Sequence, residues 1–131
     1  MARVLHFLSS DPHVHTRPVH FLKVVDAIYD CKSEVIGPGF FRFKAEIDFN
    51  GEVLVQNYLQ RTGRDEWARQ FREAAKRKDD THLFNLMSSY GEEVVTALGS
   101  EVDRLEKEIQ KIVPGIRHVD IEAHNPKGPL P

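Results

Sequence analysis

The stretch FRFKAEIDF, residues 41–49, decides the fold that this sequence predicts. Apolar and charged side chains alternate strictly along it, which is the pattern of a β-strand with one buried face and one solvated face. The apolar set is Phe41, Phe43, Ala45, Ile47 and Phe49, and the charged set is Arg42, Lys44, Glu46 and Asp48. We therefore predict a strand here whose aromatic and aliphatic side chains form the core.

Strand and turn signals flank this stretch on both sides. Residues 24–36 are rich in β-formers, and Gly37-Pro38-Gly39 separates them from the strand, so the two segments predict a pair of neighbouring strands. Asn50-Gly51 follows directly, and this dipeptide is the strongest short signal for a hairpin turn. We accordingly predict a return strand over residues 52–59.

Helical patterns come before and after the strands. Residues 2–9 predict a short helix, and residues 64–78 predict another, because Trp67, Phe71 and Ala74 recur at helical spacing among charged residues. Asp79-Asp80 should end this helix or cap the next segment.

Ser89 and Glu92 match a capping box and predict the start of a long helix. Pro114-Gly115 should stop it. Gly99 inside the helix costs about 1 kcal/mol relative to Ala, which favours close packing against a strand at that point. The apolar stripe that defines the helix comprises Val95, Leu98, Val102, Leu105, Ile109 and Ile112.

Residues 116–122 predict a last strand, with Val119 and Ile121 on one face. The predicted order is helix, strand, strand, helix, strand. This makes an α+β fold, a ferredoxin-like α-β-β-α-β sandwich with its helices on one face of a small sheet. The sandwich should carry a hairpin extension and extra helices between the second strand and the last long helix.

Composition restricts the class of protein. With 131 residues and a net charge of -2, the chain fits one domain and has no global attraction to nucleic acid. No apolar run reaches the roughly 18 residues that a membrane helix needs. Cys31 is the single cysteine, which excludes a disulfide framework and a cysteine-based zinc knuckle.

Two groups of side chains could bind a metal ion. His118, Asp120 and Glu122 recur at period two, so they share one strand face and could converge on zinc, which takes nitrogen and oxygen ligands. The alternative is a solvated strand face. A second group, His13, His15 and His20, could also bind metal, although ordering a loop would oppose binding; here too the alternative is a solvated loop.

Residues 61–78 carry seven Lys or Arg against three Asp or Glu. This local positive charge could face an anionic membrane surface or a partner, or it could be a solvated helix face balanced by the acidic residues after Glu92. Catalytic motifs such as a phosphate-binding loop, a nucleophile elbow or His-Glu-x-x-His do not occur. We therefore expect no enzyme activity. We also expect no RNA-binding sheet, because Phe41 and Phe43 should face the core.

Three stretches carry a resemblance to a known family: GPGFFRFKAEIDFNG at 37–51, LGSEVDRLEKE at 98–108 and RHVD at 117–120. Together they resemble the C-terminal domain of the cation diffusion facilitators, in the zinc transporter nine branch. Within this branch the residues are similar to those of plant metal tolerance proteins. The resemblance implies one cation-efflux domain over residues 1–123, with an inserted loop over residues 13–23. Residues 124–131 contain three prolines in eight residues and predict a disordered tail.

The resemblance also implies a function. The domain would pair two protomers and regulate a proton-coupled divalent-cation (zinc) transporter, acting beside the membrane domain of its own parent protein. It would lie on the soluble face, cytoplasm or matrix, of an internal membrane, mitochondrial or vacuolar, and the start at Met1 would then be a truncation. No cofactor is certain and zinc is possible, because some members bind zinc through His and Asp on the strand that holds His118 and Asp120. The alternative is a stand-alone metal-buffering or protein-interaction module.

Overall fold

A computed structural model describes residues 2–9 and 24–130 of the chain. The predicted inserted loop over residues 13–23 lies outside them. The described elements are α1 (Ala2–Ser9), β1 (Val25–Gly37), β2 (Phe40–Phe49), α2 (Gly51–Thr62), α3 (Arg64–Ala75), α4 (Thr81–Ile112) and β3 (Ile116–Ala123). This order confirms the predicted α+β class of ferredoxin-like type, with extra helices after the second strand.

β2 is the central strand of a three-stranded sheet with the order β1-β2-β3. β1 and β2 are antiparallel and meet at the tight turn Pro38-Gly39, where Gly39 adopts a φ of 74°. β2 and β3 are parallel. Because parallel neighbours need a crossover connection, the chain between them leaves the sheet, and this connection holds α2, α3 and α4.

The alternation predicted for β2 is confirmed. Its three central inward side chains are 0% exposed, and α1 and α4 contribute side chains to the cluster that surrounds them. The buried members of this cluster are Val4, Val25, Phe43, Ala45, Ile47, Leu105, Ile109 and Ile116. The core therefore lies between the inner face of the sheet and the helices.

A bulge in β1 keeps that edge strand in contact with the core. Between Tyr29 and Lys32, β1 carries one more residue than the paired segment of β2, and Asp30 there has a φ of 47°. Asp tolerates this left-handed conformation better than most residues. As a result Ile28 and Cys31, three positions apart, both pack against the core.

The predicted hairpin turn at Asn50-Gly51 and the return strand over residues 52–59 are wrong. Asn50 instead caps α2, and its side-chain oxygen accepts a hydrogen bond of 3.0 Å from the Val53 N–H. Both roles suit Asn, which satisfies a free N–H at a helix start as readily as it forms a turn. The segment becomes a helix because Leu54 and Tyr58, four residues apart, are buried together.

The predicted start of the long helix at Ser89 is also wrong. α4 begins at Thr81, with Asp80 at the N-cap position, and the Asp79 carboxylate accepts a 2.9 Å hydrogen bond from the Thr81 N–H. Asp79-Asp80 thus separates α3 from α4, as predicted. The Ser-x-x-Glu pattern at residues 89–92 lies inside the helix because neither Gly nor Pro interrupts the ten residues before Gly91.

The extra helices build a second apolar cluster beside the first. The rings of Trp67 and Phe71 on α3 lie edge-on to the ring of Tyr90 on α4, with centroid distances of 4.8 and 5.8 Å. Aromatic pairs favour this arrangement. The buried members of the cluster are Val24, Leu54, Tyr58 and Ala97. α2 and α3 are therefore held by the first half of α4.

The close contact predicted for Gly99 does not form. A Cβ placed on Gly99 would meet nothing within 4 Å, and the residue is exposed. Glycine there lowers helix stability without a packing role among the described residues.

Asn50→Ala should lower the free energy of unfolding by about 1 kcal/mol, because the Val53 N–H loses its side-chain acceptor. Urea unfolding measures the change. Asn50→Ser keeps an acceptor at the cap and serves as the matched control. Equal stability of the Ala and Ser variants would contradict the capping role.

Gly99→Ala should raise the free energy of unfolding by about 0.5–1 kcal/mol, because Ala restricts the unfolded chain and fits the open space. Gly39→Ala, where the space is equally open but φ is 74°, should lower it by about 1–2 kcal/mol. Thermal and urea unfolding of both variants check that the two stability changes have opposite signs. A loss of stability in Gly99→Ala would contradict the open space at this position.

Candidate functional site

The outer face of the sheet, opposite the core, carries the predicted site residues. The register steps from Ile116 to His118 on β3 while β2 steps only from Phe41 to Arg42. This bulge lets Ile116 and Val119 both pack against the core. His118, as the sequence predicts, then lies on the outer face with the two carboxylates that follow it at period two.

Neighbouring strands place charged residues side by side on this face. His118 is the register partner of Arg42, Asp120 of Lys44 and Glu122 of Glu46. The Lys44 Nζ lies 3.1 Å from Glu122 Oε1. This hydrogen bond, together with the charge of Glu122, raises the pKa of Lys44 above its ordinary value.

The candidate metal ligands are exposed and sit among cations. His118, Asp120 and Glu122 are all exposed, and Glu122 already pairs with Lys44. Within residues 2–9 and 24–130, no three His, Cys, Asp or Glu side chains are arranged to hold a metal ion. That His118 and Asp120 bind a metal ion stays a prediction, in which one chain supplies two ligands. His13, His15 and His20 lie outside the described part.

A buried histidine completes the outer face, and the sequence reasoning missed it. His124 is 8% exposed, its Nδ1 lies 2.8 Å from Glu46 Oε1, and its ring centroid is 4.6 Å from that of Tyr29. The backbone N–H of His124 donates a 2.7 Å hydrogen bond to the Ile47 carbonyl. The available signal was the period of two, which runs from Glu122 to His124. The disordered tail stays a prediction, but its first residue is packed.

Acidic residues accumulate where α4 passes β3. Burial raises the pKa of Glu106, and the negative charges of Asp103 and Asp120 raise it further. A carboxyl group whose neighbours favour its neutral form marks a region of negative potential.

The basic stretch over residues 61–78 is a solvated surface in the described structure. Arg69 pairs with Glu66 and Lys76 with Glu73, and the Arg69 hydrogen bonds lower the pKa of Glu66 to about 2. Within the described ranges, no ion pair joins this stretch to the acidic residues of α4. The predicted balance between the basic stretch and the acidic residues of α4 therefore does not arise from direct ion pairs in the described ranges.

The hairpin tip is the apolar end of the sheet. Val35, Ile36 and Phe40 are exposed there, and the Arg117 guanidinium lies 4.4 Å from the centroid of the Phe40 ring. A cation over an aromatic face is a favourable contact. Phe43, by contrast, is fully buried, so the strand does not present it for stacking on bases.

The fold and its outer face define an α+β domain of ferredoxin-like topology that carries His and carboxylate side chains on an open sheet face. None of the helices in the described ranges is both long and apolar enough to cross a bilayer. Neither a protein-family model nor a solved structure matches the chain.

Curated relatives match almost the whole chain. It is 70% identical over 126 residues to metal tolerance protein C4 of Arabidopsis thaliana, covering 96% of this chain and 25% of that protein. It is 39% identical over 120 residues to the mouse protein named proton-coupled zinc antiporter SLC30A9, mitochondrial, covering 92% and 19%. The human protein of that name is 38% identical over 120 residues.

These matches confirm the resemblance found in the sequence. Over the region that it shares with these proteins, the chain belongs to the zinc transporter nine branch of the cation diffusion facilitators. The chain spans a quarter or less of the length of these relatives.

Deleting residues 124–131 should lower the free energy of unfolding by about 1–3 kcal/mol, because the deletion leaves Glu46 without its partner and exposes Tyr29. Deleting only residues 126–131 should change it by less than about 0.5 kcal/mol. Urea unfolding of both truncated chains tests where the folded domain ends. A loss of similar size in the shorter deletion would show that the tail beyond Asn125 also contributes.

Proposed function

We propose that this chain is the dimerisation and regulatory domain of a membrane zinc transporter of the cation diffusion facilitator family. The observation that carries the proposal is the 70% identity over 96% of the chain to one quarter of metal tolerance protein C4. The relatives named as proton-coupled zinc antiporters support zinc as the transported ion of the parent protein. Transport needs membrane-spanning segments, so the domain acts on transport rather than carrying ions itself.

The domain would lie on the aqueous side of an internal membrane and pair with its copy beneath the membrane part. The animal relatives carry the word mitochondrial in their names, which favours the matrix or the cytoplasmic side of a mitochondrial membrane. A vacuolar membrane is the alternative location. Pairing would hold two transport units in a fixed relation, which is how a domain without a transport path can bias transport.

His118 and Asp120 are the residues through which zinc would regulate the pair. One chain offers two exposed ligands, and zinc prefers four. A two-fold related copy would supply the other two, because a symmetric interface repeats each residue. Zinc would thus strengthen pairing without being required for it. Lys44, the register partner of Asp120, would oppose a cation here and keep the site weak.

The coding sequence of full-length transcripts tests whether this chain is part of a longer transporter. The transporter proposal expects upstream coding sequence for membrane helices that contain His and Asp. A natural start at Met1, with a zinc-responsive segment at residues 13–20, would instead support the metal-buffering or interaction module.

Sedimentation equilibrium tests pairing and the role of zinc. We expect a concentration-dependent dimer in the presence of a chelator, because the apolar surfaces of the domain and not a metal would drive association. Added zinc should tighten the dimer, and His118→Ala should abolish that increment alone. Arg117→Ala, a neighbouring exposed change, is the control. A chain that stays monomeric in both conditions would contradict the dimerisation role, and an unchanged zinc response in His118→Ala would remove the metal site.

A further inference from the structure

α3 is attached to the rest of the domain through few buried side chains. Among the twelve residues of this helix, Ala74 is the only buried one. Trp67, Gln70 and Phe71 are half-buried, and the other eight are exposed. Most of the stability of a helix in a protein comes from the packing of its apolar face, so α3 depends on a small contact area.

Aromatic rings supply much of this contact area. The Trp67 and Phe71 rings lie 4.8 and 5.8 Å from the Tyr90 ring of α4, and 6.4 Å from each other. The Tyr90 ring also lies 5.9 Å from the ring of Tyr58 on α2. Tyr90 therefore has ring neighbours from both helices, and α3 covers one side of it.

The charged side chains of α3 bond within the helix. Arg69 and Gln70 donate hydrogen bonds to Glu66, and Lys76 at the C-cap donates one to Glu73. Across residues 2–9 and 24–130, neither ion pair of α3 reaches α4. Pairs of this kind stabilise the helix itself, so they do not hold α3 in its place.

The buried centre of the second apolar cluster does not include α3. Its buried members, Val24, Leu54, Tyr58 and Ala97, lie just before β1, on α2 and on α4. α3 adds Trp67, which is half-buried, at the margin of this cluster. If α3 leaves its place, the buried residues of α2 therefore keep their packing against α4.

Both connections of α3 have the properties of hinges. Gly63, which joins it to α2, is exposed and has a φ of 103°, and a Cβ there would meet nothing within 4 Å. Residues 76–80, which join it to α4, are all exposed. Hinges are short stretches at the ends of elements that absorb changes in backbone angles, and neither connection is held by surrounding side chains in a packed core.

We propose that α3 is a lid on α4, which opens as a unit between Gly63 and Asp80 while the sheet, α2 and α4 stay folded. Local openings of this kind occur in the parts of a protein with the fewest buried contacts. Opening uncovers the Tyr90 ring, and Met87, three positions earlier on the same side of α4, is already 52% exposed. The lid thus sets how much apolar surface α4 presents. This device goes beyond the proposed function and does not depend on it.

Hydrogen exchange of the whole chain, measured by mass spectrometry on peptides from α3 and β2, tests the lid. A helix of twelve residues is marginal in water, so the α3 amides exchange whenever the lid is open. Amides of β2, which lies between two strands, should exchange only on global unfolding. We expect protection factors at least about tenfold smaller in α3 than in β2. Equal protection of the two elements would overturn the lid.

Low urea concentrations and a core variant separate local from global opening. Urea below the unfolding transition should lower protection in β2 and barely change it in α3, because a local opening exposes little surface. Ile109→Val, a change at a position that is 0% exposed in the sheet core, should lower protection in β2 about two- to tenfold. Protection in α3 should stay the same, because the core remains folded in the open state. A fall in α3 as large as that in β2 would show that α3 opens only with the whole domain.

Phe71→Ala tests whether the rings hold the lid closed. Loss of the Phe71 ring should lower protection throughout α3 about tenfold, although Ala favours the helix itself more than Phe does. Phe84→Ala removes the same side chain at a position of α4 that is 58% exposed, so it is the matched control and should leave α3 unchanged. Unchanged protection in Phe71→Ala would contradict the ring contact. A loss confined to one end of α3 would indicate fraying and overturn opening as a unit.

Discussion

The burial of one face of β2 is the constraint on which the rest of the structure depends. Phe43, Ala45 and Ile47 have no exposed surface, and β2 lies between β1 and β3 in the sheet. Its inner face therefore needs a cover along its length, which α1 and the second half of α4 supply. Its backbone needs a partner on each edge, which β1 and β3 supply. The bulges in the edge strands serve the same end, because each returns an apolar side chain to this core.

Local sequence predicted the elements whose pattern has one physical interpretation. A strict period of two over nine residues fits no helix, so β2 was predictable from its residues alone. Asn50 was not, because an Asn side chain accepts hydrogen bonds from backbone N–H groups in turns and at helix starts alike. The decision depends on whether Leu54 and Tyr58 find a common surface, and Ala97, which packs with them, lies about forty residues further along the chain. Distant packing of this kind is invisible to a local pattern.

The same limit applies to the candidate site. The period of two placed His118 and Asp120 on one face without knowledge of the neighbouring strand. The register that sets Lys44 beside Asp120 is a property of the pairing between β2 and β3, and so is the contact between His124 and Glu46. Which side chains share a strand face could be predicted, but which charges neutralise one another could not.

The distribution of paired and unpaired charge separates the two surfaces that could act on a partner. On the outer sheet face, Lys44 and Glu122 neutralise each other, and His124 contacts Glu46, so two of the carboxylates on this face already have partners. On α4, burial raises the pKa of the Glu106 carboxyl group, and the negative charges of Asp103 and Asp120 raise it further. The exposed apolar side chains of α4, Phe84, Met87 and Val95, lie in the other half of the helix, eleven residues or more before Glu106. His118 and Asp120 belong to neither of the two contacts on the sheet, so a zinc ion held by these side chains would add positive charge beside Lys44, the register partner of Asp120, without displacing either contact.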